Sequence, residues 1–279
     1  MIKPAVPAAC MVVLVGATTV ARAADPDTLA LSFTSTAETE GLQVTDEQPI
    51  VLLLTHSCWS SAAHLTASLP PDVDVDALSL VGPGDVVLST DIGFVHDGTV
   101  LADEDLVRLA DGMVTVLFDG SLHGLPDAAD IDAVHVVSVD PLEFYYSLAT
   151  ANEIDGVIYS DDDIIHFEAG AHELWVSGSD LFGSRHDGLD VDALWVDPLG
   201  RDLLLSTDVG CTGLGGVTRA DDEDVLRYRR MSGELLLFVD LSGHGVDTGR
   251  VDVDALHALQ SLIFADDFET GDTSRWSRP

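Results

Sequence analysis

One phrase recurs four times along this chain, and its spacing limits the possible folds more than any other feature. The copies are Asp74-Val75-Asp76-Ala77-Leu78, Asp130-Ile131-Asp132-Ala133-Val134, Asp190-Val191-Asp192-Ala193-Leu194 and Asp252-Val253-Asp254-Ala255-Leu256, at offsets of 56, 60 and 62 residues. A second phrase keeps step with it: Asp46-Glu47-Gln48, Asp103-Glu104-Asp105, Asp161-Asp162-Asp163 and Asp222-Glu223-Asp224. A third is an apolar run ending in Ser-Thr-Asp, at Val86 to Asp91 and Leu203 to Asp208, with weaker forms at Leu29 to Phe33 and Phe144 to Leu148. Chance matching of acidic residues would not preserve one order of three phrases. Fixed-period self-similarity of this kind marks a repeat architecture, in which each unit buries its apolar surface against its neighbours.

Each unit reads as four short strands. In the first complete copy the Asp phrase leads into an apolar run. Val86–Ser89, Leu106–Leu109 and Val114–Phe118 follow, separated by Asp97-Gly98, Asp111-Gly112 and Asp119-Gly120. In the next copy the leading strand is expected over Ile131–Val137. Short β-branched runs between Gly and Asp clusters read as strands and turns. No sustained helical period is present, and short helical turns are confined to long loops, as around Ser60 to Leu65. The chain enters on the Leu29–Phe33 strand and leaves on the Asp252–Leu259 strand. If these two pair, four complete sheets result. The expected fold is therefore all-β: a four-bladed β-propeller of four repeats, closed by pairing of its N- and C-terminal strands, which removes open sheet edges. Two separate domains of paired repeats are the alternative, since the second and fourth units are most alike.

A unit opening with Asp-x-Asp-Ala-apolar, and the loop Gly124-Leu125-Pro126-Asp127 ahead of Asp130, resembles the hemopexin-type four-bladed propeller over roughly residues 29–259. The resemblance implies the architecture, and it implies ions held in a central channel. The dense aromatic and basic strand residues usual in that family are missing here.

Residues 1–23 have the grammar of a secretory signal peptide: Lys3, an apolar stretch to Val20, and Ala21-Arg22-Ala23 as a small-x-small cleavage pattern. The expected organisation is a signal peptide (1–23), a four-repeat domain (24–263) and a C-terminal tail (264–279), with the mature protein secreted or periplasmic. No later segment is long and apolar enough to span a bilayer. Only Cys58 and Cys211 survive such cleavage, either bonded or as two buried thiols. The charge balance, 12 Lys+Arg against 49 Asp+Glu, disfavours nucleic acid and anionic membrane and favours cations or basic partners.

The eight repeated aspartates, Asp74, Asp76, Asp130, Asp132, Asp190, Asp192, Asp252 and Asp254, are the candidate site. In an extended strand, residues i and i+2 share a side. Each pair thus sets two carboxylates together, and like charges that close need relief. Either they hydrogen-bond loop backbone and fix the turn into the strand, or they hold a hard cation such as calcium at the centre of the ring. The acidic triplets read as solvated turns, with peripheral calcium as the alternative. His56, His64, His96, His123, His135, His166, His172, His186, His244 and His257 show no metal-ligand spacing. Leu214-Gly215-Gly216-Val217 is a turn and not a phosphate loop. No nucleophile elbow or cysteine-protease signature is present. The reading is a binding or surface-interaction module with a protein or carbohydrate partner, stabilised by calcium. The alternative is a carboxylate-dependent, glycosidase-like hydrolase. A hydrolase would single out the aspartates of one repeat, whereas a binding module would treat all four alike.

Overall fold

A computed structural model describes residue 26 and residues 28–259 other than 34–36, 40–41, 45–48, 55–57, 63–65, 67–68, 71–72, 186–187, 215 and 247–250. The signal peptide, the tail, His56, His64, His186, the loop 63–65 and the phrase Asp46-Glu47-Gln48 lie outside the described residues.

The chain enters on β1 (Thr28–Ser32), makes a small hairpin of β2 (Ala37–Thr39) and β3 (Leu42–Val44), and continues through β4 (Ile50–Leu53) and β5 (Cys58–Ser61). Blade 2 is β6 (Ala77–Gly82), β7 (Asp85–Ser89), the hairpin β8 (Phe94–His96) and β9 (Thr99–Leu101), then β10 (Leu106–Ala110) and β11 (Met113–Phe118). Blade 3 is β12 (Ala133–Val139), β13 (Leu142–Ser147), the hairpin β14 (Asn152–Ile154) and β15 (Val157–Tyr159), then β16 (Ile164–Glu168) and β17 (Ala171–Val176). After a short helix α1 (Gly178–Phe182), blade 4 is β18 (Ala193–Val196), β19 (Asp202–Ser206), the hairpin β20 (Cys211–Leu214) and β21 (Val217–Ala220), then β22 (Val225–Arg229) and β23 (Glu234–Val239). The last described strand is β24 (Ala255–Leu259).

Four antiparallel four-stranded sheets result, in the orders β24-β1-β4-β5, β6-β7-β10-β11, β12-β13-β16-β17 and β18-β19-β22-β23. The innermost strands meet in a ring: β24 touches β6, β6 touches β12, β12 touches β18, and β18 touches β24. The fold is the four-bladed β-propeller that the repeat implies. Its first blade takes an inner strand from the end of the chain, with Thr28 opposite Leu259 and Ser32 opposite Ala255. That pairing excludes two separate paired-repeat domains.

The core lies between blades rather than within them. One apolar cluster joins Leu29, Leu31 and Leu52 of blade 1 to Leu204, Val225 and Val239 of blade 4. Corresponding clusters fill the seams of blades 3 and 4, 2 and 3, and 1 and 2. A strand covered on both faces needs no polar alternation, so β1 is buried at every residue while the outermost β11 and β17 are largely exposed. Asp97-Gly98, Asp111-Gly112 and Asp155-Gly156 have positive φ at both residues, the conformation that tight hairpin turns demand. The leading strand of blade 3 begins at Ala133, two residues later than its β-branched run suggests. Each unit also carries a small hairpin beyond its four blade strands. With strands of three or four residues, these hairpins are too short to print a period-two pattern.

Candidate cation site at the mouth of the ring

Each Asp phrase ends where an innermost strand begins, at Ala77, Ala133, Ala193 and Ala255. Each of the three described acidic triplets precedes a third strand. Because neighbouring strands run antiparallel, both phrases lie at the same end of the ring, here called the mouth. The third phrase reaches that end too. Asp91 Oδ1 accepts from the Asp74 N–H at 3.1 Å, and Asp208 Oδ1 accepts from the Asp190 N–H at 2.9 Å. The outer aspartates also fold onto their own turns, with Val75 N–H donating to Asp74 Oδ1 at 2.9 Å and Val191 N–H to Asp190 Oδ1 at 2.8 Å. Fixing the turn is therefore part of their role.

Turn-fixing does not account for the inner aspartates. Asp132 is 8% exposed and Asp254 5%, and both oxygens of each carboxyl are buried without a hydrogen-bond partner. Asp130 Oδ1 and Asp252 Oδ1 are unpartnered as well. A buried polar atom in that state carries a desolvation cost of about 1–3 kcal/mol, more if charged. Burial, then neighbouring carboxylates, push the acids up: Asp76 to about 8, Asp130, Asp190 and Asp252 to about 7, and Asp192 to about 9. Asp132 and Asp254 are raised well above the carboxylate range for the same reasons.

The carboxyls act on one another across every junction between blades: Asp130 on Asp76, Asp190 and Asp192 on Asp132, Asp252 on Asp192, and Asp74 and Asp76 on Asp254. Oxygens of Asp132, Asp190 and Asp192 all lie within 4.8 Å of one another, which makes this the triad of the described residues able to share an ion. Beneath the mouth the axis is filled. Ser79, His135, Trp195 and His257 hold the matching positions of the four inner strands. The His135 ring stacks on His257 at 5.9 Å and meets Trp195 edge-on at 6.0 Å. Leu80 N–H donates to His257 Nδ1 at 3.2 Å, and Val136 N–H donates to Ser79 Oγ at 2.9 Å. Burial lowers His135 to about 3 and His257 to about 4, so both are neutral at neutral pH. With its Nδ1 lone pair engaged and its proton on Nε2, His257 has no nitrogen free for a metal.

The three described acidic triplets are not solvated turns. The last acid of each of these three is a staple. Asp105 accepts from the N–H groups of Ala102 and Gly120, both at 2.9 Å, Asp163 from Ser160 and Gly178, and Asp224 from Asp221 and Leu241. The middle acids Glu104, Asp162 and Glu223 are buried. The strand-ending serine beside each triplet closes the turn. Ser89 Oγ donates to the carbonyls of Asp103 and Asp105, Ser147 Oγ to those of Asp161 and Asp163, and Ser206 Oγ to that of Asp222. Mid-turn burial leaves no mark in sequence, because an acid at a turn reads as exposed whatever packs over it. Glu223, pushed up to about 7 by burial, has two buried oxygens without a partner.

The remaining candidates have structural partners. His123 stacks on Phe118 at 4.8 Å, and its carbonyl accepts from His172 Nε2, whose Nδ1 accepts from Tyr146 Oη, both at 2.8 Å. His244 occupies the matching turn, Leu241–His244. Cys211 is a buried free thiol, and the side chain of Cys58 lies outside the described residues. Among the described residues no helix is long and apolar enough to cross a membrane.

No family model and no curated protein matches this chain. Solved structures do. A nidogen/laminin complex matches with a TM-score of 0.39 at 9% identity over 81% of this chain and 83% of that one. A hemopexin-fold protein from cow pea matches with 0.36 at 12% identity over 65% and 76%. The extracellular domain of a one component system from B. thetaiotaomicron matches with 0.30 at 14% identity over 75% of this chain, which spans only 22% of that protein's chain.

Proposed function

We propose that this chain is a secreted binding module whose propeller is stabilised by a hard divalent cation, calcium, held by the repeated aspartates at the mouth. The carboxyl of Asp132, buried with both oxygens unpartnered in a triad drawn within 4.8 Å, carries the reading. Calcium takes six to eight oxygen ligands, and carboxylates and turn carbonyls meet at this end. A buried carboxylate triad is costly empty and is relieved by a cation of opposite charge. Raised acids occur in every repeat rather than in one, which favours a bound ion over a single catalytic acid. The module's own partner, a protein or a carbohydrate, would be met by the loops and small hairpins.

The test is a thermal melt of residues 24–279 with EDTA and then with calcium, at fixed ionic strength. A ligand bound only by the folded state stabilises it by about 2.7 kcal/mol at a hundredfold excess over its dissociation constant. A rise of the midpoint with calcium and none with matched sodium is the expected result. An unchanged midpoint would sink the reading.

A further inference from the structure

In blades 3 and 4 the small hairpin is tied to the outer strand, and in blade 2 it stands off. Tyr159 Oη of the blade 3 hairpin donates to the His172 carbonyl at 3.2 Å, and Gly216 N–H of the blade 4 hairpin donates to the Leu235 carbonyl at 3.0 Å. His172 and Leu235 hold one register position, opposite Phe167 and Tyr228, and Val114, opposite Leu109, matches them in blade 2. The place of Tyr159 is taken there by Leu101, which has no hydroxyl to donate. Among the described residues nothing donates to the Val114 carbonyl. A cavity of about 470 Å³ lies between the hairpin and β11 instead, lined by Leu101, Met113, Val114 and Val116, with Asp97 and Thr99 on the hairpin side. A residue of an antiparallel strand turns its N–H and its carbonyl to the same side, alternately toward and away from a given neighbour. The matching carbonyls of blades 3 and 4 face their hairpins, so Val114 and Val116 turn their backbone groups into the cavity and not to β10.

We propose that this cleft takes an extended, basic segment of a partner protein, which adds alongside β11 as a further strand of blade 2 and sets a lysine or arginine side chain against Asp97. This rests on the binding-module reading above, names its site and the class of its partner, and needs no bound ion. Main-chain bonds to Val114 and Val116 hold such a strand, and the cavity seats its alternate side chains. The apolar wall takes the stem of a basic side chain and leaves its charge at the rim, where the Asp97 side chain is 96% exposed. Blade 2 cannot supply that cation itself, because Arg108 is already gripped by Asp85. With a net charge of -37 on the chain, the complementary partner is basic. Val95 and Val100, exposed on the same hairpin, extend the apolar surface beside the cleft.

Fluorescence polarisation of a labelled peptide of alternating lysine and valine, titrated with the full chain at physiological salt, tests this. Saturable binding is expected. Leu101→Tyr, which puts the blade 3 residue into the cavity at unchanged net charge, should weaken it about tenfold, as should methylation of one alternate set of peptide amides and not the other. Thr99→Trp, at an exposed position of the wall, replaces Leu101→Tyr if circular dichroism shows the latter unfolded. Asp97→Asn should weaken binding about threefold. Binding indifferent to both cavity-filling changes would place the peptide elsewhere and overturn the cleft while keeping the binding module. Equal loss or no loss from the two methylation patterns would overturn strand addition, and tighter binding of the peptide with glutamate in place of lysine would overturn the basic partner. No binding to the wild type would overturn the proposal, whereas the calcium melt decides the cation reading separately.

Discussion

Blades 2 and 4 share features that blade 3 lacks. In blade 2, Arg108 Nε and Nη2 grip the two oxygens of Asp85 at 2.8 and 2.6 Å, and in blade 4 Arg227 Nε meets Asp202 at 2.9 Å. The same place in blade 3 holds the looser pair His166 and Glu143 at 3.2 Å. Asp91 and Asp208 brace the outer aspartates of blades 2 and 4. In blade 3 the corresponding backbone bond, Ala149 N–H to the Asp130 carbonyl, has no such carboxylate beside it. Facing the axis, blades 2 and 4 present Ser79 and Trp195, while blades 1 and 3 present the two histidines. A four-fold frame therefore carries a two-fold distribution of chemistry. A blade contacts mainly its two neighbours, so opposite blades can diverge together without disturbing the seams.

Metal-free protein at alkaline pH offers the strongest way to break this comparison. The raised carboxyls keep protons in the folded state that the unfolded chain releases near pH 3.9, so stability falls as pH rises through about 7 to 9. His135 and His257 are lowered, so they cost stability only below about pH 6.5. Between about pH 6.5 and 9 the carboxyls decide the sign. Scanning calorimetry in EDTA should show the wild type melting lower toward pH 9. The double change Asp132→Asn and Asp254→Asn should remove much of that slope and raise the melting temperature at the alkaline end. Asp76→Asn with Asp192→Asn, on the less buried side, should remove less. Equal effects would show that the alternation has no energetic content.

Core truncation comes next. Phe144 of blade 3 and Val86 of blade 2 occupy matching positions and are both fully buried. Phe144 packs against Phe118 and Phe167 at about 5 Å, so Phe144→Ala should cost about 3–5 kcal/mol. Val86→Ala should cost about 2 kcal/mol. Urea midpoints would read both. Arg227→Met leaves Asp202, 24% exposed, without its guanidinium. This should cost about 2 kcal/mol, between the values for surface and buried pairs, against less than about 1 kcal/mol for His166→Gln. The smallest contrast is a shared one. Ser89→Ala, Ser147→Ala and Ser206→Ala each remove a hydroxyl donor and should cost about 1–2 kcal/mol apiece. Unequal losses there would carry the alternation into the staples.

The frame was legible in the sequence because its determinants are local and repeated. Asp-x-Asp-Ala marks the entry to each inner strand, and the missing leading strand of the first unit announces the β1–β24 pairing. Asp91 and Asp208 were visible as the ends of a phrase, although their bond to the outer aspartates depends on the antiparallel pairing of two strands. The close approach of Asp132 to Asp190 and Asp192 was not legible. Asp132 and Asp190 are far apart in sequence, and the equal spelling of the four phrases hides their unequal burial. The filled axis was likewise hidden, since His135, Trp195 and His257 share a register position but no chemical resemblance to one another.

The strand exchange in blade 1 bears on how the ring assembles. Blades 2, 3 and 4 pair strands that are close in sequence, whereas β1 finds its inner partner only near the far end of the described chain. Contacts of that separation make folding slow, because a long loop must close before they repay it. Until β24 arrives, β1 shows a bare strand edge able to pair with another chain. A circular permutant opened between β5 and β6, with β24 joined directly to β1, would make every blade local. It would fold faster into the same ring, with no strand left waiting for its partner.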